Sequence, residues 1–121
     1  MEVNYFFDSY AIIELLKEKQ SYYRFMDEKI IITNFNLVEI YWHFLLQDEQ
    51  IAEQIFERFK ESAVDVPDDI LKEAMKFRKI HKKKNLSYAD SIGYVYALKN
   101  KMKFLTGDKE FEGLNNVEFV K

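Results

Sequence analysis

The chain has 121 residues, 48% of them hydrophobic and 17% aromatic, with a formal charge of -3. This is enough apolar material for one folded core, and it excludes a disordered chain, an acidic tail or a wholly basic nucleic-acid binder. With no cysteine and only His43 and His81, disulfides, thiolate metal sites and a histidine-rich zinc centre are excluded. Any bound metal is therefore expected to be a hard cation held by oxygen.

Residues 3–7, Val3-Asn4-Tyr5-Phe6-Phe7, read as a buried first strand stopped by Asp8-Ser9. From residue 10 to 19, Ile12, Ile13, Leu15 and Leu16 recur at helical spacing, and Lys17 and Lys19 suit the last turn. Residues 29–33 carry Ile30-Ile31-Ile32, a second short buried strand. A long helical stretch over 37–60 follows, with a break expected near Gln47-Asp48-Glu49. Residues 63–66 form a third strand candidate, ended by Pro67. Pro67, with Asp68 and Asp69 behind it, opens a helix that is expected to run to Lys84. Asn85-Leu86-Ser87 opens another, rich in Tyr88, Ile92, Tyr94, Val95, Tyr96 and Leu98. Residues 102–105 are a fourth strand, Gly107-Asp108 a turn, 109–114 a short helix and 117–120 a fifth strand.

Three glycines and one proline leave almost no flexible linker, so one compact domain over 1–121 is expected. Alternation of strand and helix predicts an α/β fold with a mostly parallel sheet wrapped by helices on both faces. The start Met1-Glu2-Val3-Asn4 lacks a basic region leading into an apolar stretch, and no apolar run reaches the roughly 18 residues of a membrane span. A cytoplasmic protein with no membrane contact is the expectation.

In sheets of this kind ligands bind beyond the carboxyl ends of the strands, where strand order reverses. Asp8 follows the first strand, Glu39 lies one helical turn past the second, and Asp108 follows the fourth. Asp90 lies one turn into the helix before that fourth strand. Each acid also has a simpler reading. Asp8 can cap the first helix, Glu39 sits at capping-box distance from Asn36, and Asp90 completes an S-x-x-D box with Ser87. Asp108 can cap the short helix behind it. Capping alone does not require four caps at one edge of a sheet. Clustered carboxylates repel, and Mg2+ or Mn2+ would relieve them while activating water against a phosphate.

Four segments in this order resemble the PIN domain family, particularly the stand-alone VapC-type toxins of bacterial and archaeal toxin–antitoxin pairs. They are Phe6-Phe7-Asp8-Ser9, Asn36-Leu37-Val38-Glu39-Ile40, Leu86-Ser87-Tyr88-Ala89-Asp90-Ser91 and Phe104-Leu105-Thr106-Gly107-Asp108-Lys109-Glu110-Phe111. The last is the most telling, and together they span essentially the whole chain. The resemblance implies that Asp8, Glu39, Asp90 and Asp108 are the acidic quartet of a Mg2+- or Mn2+-dependent endoribonuclease. It implies a five-stranded sheet of order 3-2-1-4-5, an antitoxin partner and a homodimer. Ser9 and Thr106 match hydroxyl positions that could orient the carboxylates, and Thr33 and Asn34 stand where a Thr or Ser usually precedes the second acid's helix. The alternative is a PIN-like module that binds protein and cleaves nothing. Haloacid-dehalogenase-like phosphatases want a second Asp where Tyr10 stands, and receiver domains want an acidic pair where Asp8 stands alone.

Residues 71–84 hold seven basic side chains against Glu73, a local +6 that leaves -9 for the rest of the chain. Lys82, Lys83 and Lys84 can bind RNA phosphates or simply form a solvated helix end that complements the dipole. The aromatic group of Tyr22, Tyr23, Phe25, Tyr41, Trp42 and Phe44 is expected to be mostly core, with a surplus for a protein partner. His43 reads as a packing or surface side chain, and His81 as an exposed one.

Overall fold

The computed structural model describes residues 2–121, leaving Met1 outside it. β1 (Tyr5–Phe7) leads into α1 (Ser9–Leu16), and a 3-10 turn over Gln20–Phe25 returns the chain to β2 (Ile32–Thr33). α2 (Asn34–Leu45) and α3 (Glu49–Phe59) follow, and then β3 (Ala63–Val64) and α4 (Asp68–Ile80). α5 (Tyr88–Lys99), β4 (Lys103–Thr106), a 3-10 turn at Lys109–Phe111 and β5 (Val117–Phe119) complete the chain.

Every strand pair is parallel, and the α/β class expected from the alternation holds. Phe6 lies opposite Phe104 and that residue opposite Val117, in the order β1-β4-β5. The expected single sheet of order 3-2-1-4-5 is instead divided into a three-stranded sheet and a separate β2-β3 pair. The two are joined by one backbone hydrogen bond, from the Phe7 amide to the Ile31 carbonyl at 2.9 Å. The physical reason is length: β2 and β3 have two residues each, and Thr33 already serves as the cap of α2. No residue is left to extend the ladder.

Side chains that alternate along a strand point to opposite faces, and here they feed two separate cores. Phe7, Ile32 and Leu105 pack under α1, α2 and α3 with Ile12, Ile40 and Phe59. Phe6, Ile31 and Phe104 pack under α4 and α5 with Ala74, Ile92 and Val95. The hydrophobic runs of β1 and β4 are thus the signature of strands covered on both sides. α5 approaches closest at Gly93, where a Cβ would stand 2.7 Å from the Phe6 ring.

The helices are shorter than their periodicity suggests. α1 stops at Leu16 because Glu18 takes a left-handed φ of 57°, and Lys17 and Lys19 pair with Glu14 rather than with the helix end. The long helical stretch does break where expected, and Asp48 caps α3 through the Gln50 and Ile51 amides. α4 ends at Ile80, four residues before Lys84, and residues 81–84 form a turn. The 3-10 turn at Gln20–Phe25 carries no periodic signal; its Tyr22 and Phe25 are buried, and the Tyr22 hydroxyl donates to the Val120 carbonyl at 2.7 Å. His43 is half-buried against Phe44, and His81, expected to be exposed, is half-buried against Phe77.

Gly107 is required by crowding. A Cβ there would stand 2.5 Å from the Val120 carbonyl oxygen and inside the Tyr10 ring. The Val120 amide donates to Thr106 across the same turn at 2.8 Å, so the strand end cannot give way freely. Gly107→Ala is expected to cost about 1–3 kcal/mol by overpacking, a fall in Tm of several degrees measurable by calorimetry.

Candidate functional site

Asp8 leaves β1 at the sheet edge, held by its amide to the Leu105 carbonyl at 3.2 Å. Its Oδ1 accepts from the Ala11 amide at 2.8 Å, which makes it the N-cap of α1. Asp108 stands beyond the neighbouring strand. Its Oδ1 accepts from the Glu110 amide at 3.0 Å, and its own amide donates to the Thr106 hydroxyl at 3.0 Å. Thr106 is fully buried, and its side chain favours the charged form of the Asp8 carboxylate. One buried threonine therefore acts on the acids of two adjacent strands, by a hydrogen bond from the Asp108 amide and by its influence on Asp8.

Asp90 sits in the first turn of α5, where Oδ2 accepts from the Ser87 amide at 2.9 Å and its amide donates to the Ser87 hydroxyl at 3.0 Å. The S-x-x-D capping box is real. For Glu39 the capping reading is overturned. The cap of α2 is Thr33, whose reciprocal partner is Asn36 and not Glu39. Glu39 is left to accept from the Ser9 hydroxyl at 2.6 Å.

Asn36 is a site residue that the sequence reading treated only as a cap. Its Oδ1 accepts from both the amide and the hydroxyl of Thr33, at 2.9 and 2.8 Å. Its Nδ2 donates to the Ser9 hydroxyl at 3.2 Å. A polar chain thus runs Thr33–Asn36–Ser9–Glu39 and fixes the direction of the Glu39 carboxylate. The T-x-x-N spacing carried this signal, and it was masked by the overlapping N-x-x-E.

The four acids form one electrostatic group. Burial raises Asp8, only 2% exposed, from the usual 3.8 to about 8. The hydrogen bonds from Thr106 and the Ala11 amide pull it down, and the charges of Asp90 and Asp108 push it up again. Burial likewise raises Asp90 to about 6, with Glu39 and Asp108 adding repulsion. Among the described residues no ion pair reaches any of the four. No three of the described acidic or histidine side chains close into a ready cation cage. The donor set nevertheless fits a hard divalent ion, because it offers only oxygen and, among the described residues, no cationic side chain pairs with it. Mg2+ keeps several waters and needs only one or two direct carboxylates.

The PIN domain family matches residues 5–116. The chain belongs to the PIN domain family. No curated protein matches it in sequence. This PIN domain is similar in structure to VapC20 of Mycobacterium tuberculosis, a sarcin-ricin loop cleaving toxin, with a TM-score of 0.80 and 15% identity over 98% of this chain and 100% of that one. It is also similar to a toxin–antitoxin complex from Klebsiella pneumoniae, with a TM-score of 0.72 and 18% identity over 95% and 96% of the two chains. A third likeness is to VapBC2 of Rickettsia felis bound to a promoter DNA fragment, with a TM-score of 0.71 and 14% identity over 98% and 100%.

Lys82 and Lys83 are exposed in the turn after α4, and Lys84 is half-buried with Nζ donating to the Glu110 carbonyl at 2.8 Å. Lys84 is thus fixed beside the Asp108 loop rather than pairing with the end of α4.

The sign of the pH effect follows from the direction of these shifts. Folded Asp8 holds a proton that the unfolded chain releases, so its contribution to stability is fully present below about pH 4 and lost as pH rises to about 8. Asp8→Asn keeps a capping oxygen without the charge. It is expected to unfold several degrees above the parent at about pH 8, and the gap should close near pH 4 in thermal melts. Asn36→Ala should cost about 1–3 kcal/mol in denaturant titrations, since the buried Thr33 amide and hydroxyl lose their acceptor.

Proposed function

We propose that this PIN domain, a single domain over 1–121, is a Mg2+- or Mn2+-dependent endoribonuclease and the toxin of a VapBC-type toxin–antitoxin pair, acting in the cytoplasm. The observation that carries the reading is the group of four carboxylates at one sheet edge, two of them raised well above 3.8 and none ion-paired. Keeping four carboxyl groups together, two of them at a cost to their ionised form, is unfavourable for a fold, and a divalent cation is the partner that turns it to use.

Asp8, Asp90 and Asp108 would hold the ion from three elements, with Glu39 beside them. A bound Mg2+ or Mn2+ would neutralise phosphate charge and lower the pKa of water at that place. Ser9 and Thr106 keep the carboxylates aimed, the first through Glu39 and the second through Asp8 and Asp108. The Ser9 hydroxyl lies between Asn36 and Glu39 with no histidine on it, so it is an orienting group and not a nucleophile. Water attack on phosphorus, with cleavage of one P–O ester bond, is the step this arrangement serves. Lys82, Lys83 and Lys84 flank it as contacts for the RNA backbone.

A protein partner is supported by α2 and its C-cap, where Val38, Trp42 and the capping Leu46 are 64%, 60% and 67% exposed at intervals of four residues. An apolar stripe of this kind suits an antitoxin segment or a second copy of the chain. It also favours the second reading, a protein-binding module without catalysis.

Incubation of total RNA with purified protein separates the two. Discrete fragments are expected with Mg2+ or Mn2+, and none with chelator. Asp8→Asn and Asp90→Asn should each lower the rate at least about a hundredfold, and Ser9→Ala about tenfold to a hundredfold. RNA left whole by folded, partner-free protein at every metal concentration would sink the enzyme reading in favour of the binding module.

A further inference from the structure

Two cavities lie side by side along α4, and the four acids line neither. The first, of 210 Å3, is lined by Met75, Arg78, Lys79, Lys82, Lys84 and Leu86. The second, of 280 Å3, is lined by Phe35, Leu71, Met75, Tyr88 and Ile92. Met75 belongs to both. Leu71, Met75 and Arg78 follow one another at spacings of four and three residues, so a single face of α4 passes from apolar to basic, and Lys82 lines the basic cavity from the turn beyond it. No acidic side chain lines either cavity.

Both cavities are tied to the acidic edge. Phe35 stands one turn before Glu39 on α2, and Tyr88 opens the helix whose first turn carries Asp90. The two rings are 41% and 61% exposed, a poor arrangement for large aromatic side chains unless something covers them. In the basic cavity, Lys84 is fixed to the Glu110 carbonyl two residues past Asp108. Arg78 donates from Nε to the Leu86 carbonyl at 3.1 Å, and its guanidinium lies 4.6 Å over the Tyr88 ring. It is thus held on the wall between the two cavities, with its terminal nitrogens outside that bond.

We propose that these cavities are one nucleotide subsite for single-stranded RNA, in which an unstacked base packs on Phe35 and Tyr88 and the adjoining backbone phosphate enters the basic cavity. The inference rests on the ribonuclease reading and deepens it. Stacking on exposed rings needs a base free of its neighbours, which a loop or single strand offers and a duplex does not. A planar guanidinium with two or three ammonium groups is the donor set for a phosphate. Charge complementarity selects RNA over an apolar peptide, because four cations and no acid line the cavity beside the rings. The subsite would set which nucleotide stands a fixed distance from the acids, and so where a loop is cut.

The test is binding of a short fluorescent oligoadenylate to the intact protein in chelator, so that nothing is cleaved. Phe35→Ala and Tyr88→Ala are each expected to weaken binding about tenfold, with Phe35→Tyr and Tyr88→Phe near the parent. Lys79→Gln and Lys82→Gln should each reduce the slope of log affinity against log salt by about 0.7. An oligomer lacking its bases should bind the parent more weakly and be indifferent to Tyr88→Ala while remaining sensitive to Lys82→Gln. Equal affinity of parent and both alanine variants, all melting normally, would overturn the proposal. So would loss of self-association in those variants with RNA binding intact, which would assign the rings to a protein contact. Cleavage of total RNA is measured alongside. Ring-dependent binding without metal-dependent cleavage removes the nuclease chemistry and keeps the subsite, whereas cleavage with ring-independent binding removes the subsite alone.

Discussion

The Asp8 carboxylate is asked for two opposing things by its position. As the cap of α1 it meets the positive end of a helix and an amide donor, which favour a negative charge. Burial and the neighbouring Asp90 and Asp108 act against that charge, and burial is the larger effect. The rest of the edge follows from this conflict. Thr106 is buried between the two strand-end acids, accepting from the Asp108 amide and favouring the charge on Asp8, and Gly107 has no side chain so that the strand can turn under the Tyr10 ring. A fold chosen for stability alone would place an apolar or neutral residue at position 8; retaining the acid there is the pattern expected of a site selected for binding.

Charge is distributed with the same logic. The span 71–84 holds +6 while the remainder holds -9, so a polyanion meets one favourable face on an otherwise repelling surface. That face adjoins the acids through Lys84 and the Glu110 carbonyl. On the ribonuclease reading proposed above, a negatively charged chain would be drawn to the basic side and held away from the carboxylates until a cation masked them.

Much of this was legible in the sequence because strands covered on both faces leave a plain mark. Phe6-Phe7 and Phe104-Leu105 are continuous apolar runs; the first ends directly at Asp8, and the second is followed by Thr106-Gly107 and then Asp108. Asp90 was legible for a different reason, since Ser87 and Asp90 have the spacing of a capping box and the box forms. For Glu39 the capping alternative stayed open beside the site reading because two overlapping patterns, T-x-x-N and N-x-x-E, compete for one helix start; pattern alone does not say that Thr33 wins. The division of the sheet was invisible for want of contrast, because the apolar run Ile30-Ile31-Ile32 does not reveal that only two residues pair. The fixing of Lys84 depends on a partner 26 residues away, which no local pattern contains.

The division of the sheet has a mechanical consequence. Asp8 and Asp108 ride on the three-stranded part, whereas Glu39 rides on the helix that grows directly out of the two-stranded part. Between the parts run one backbone bond, Phe7 to Ile31, and the side-chain relay through Ser9. The acidic edge is therefore built across a seam. The separation of Glu39 from Asp8 and Asp108 is therefore set by that bond, that relay and the two cores packed across the division, and not by a continuous ladder.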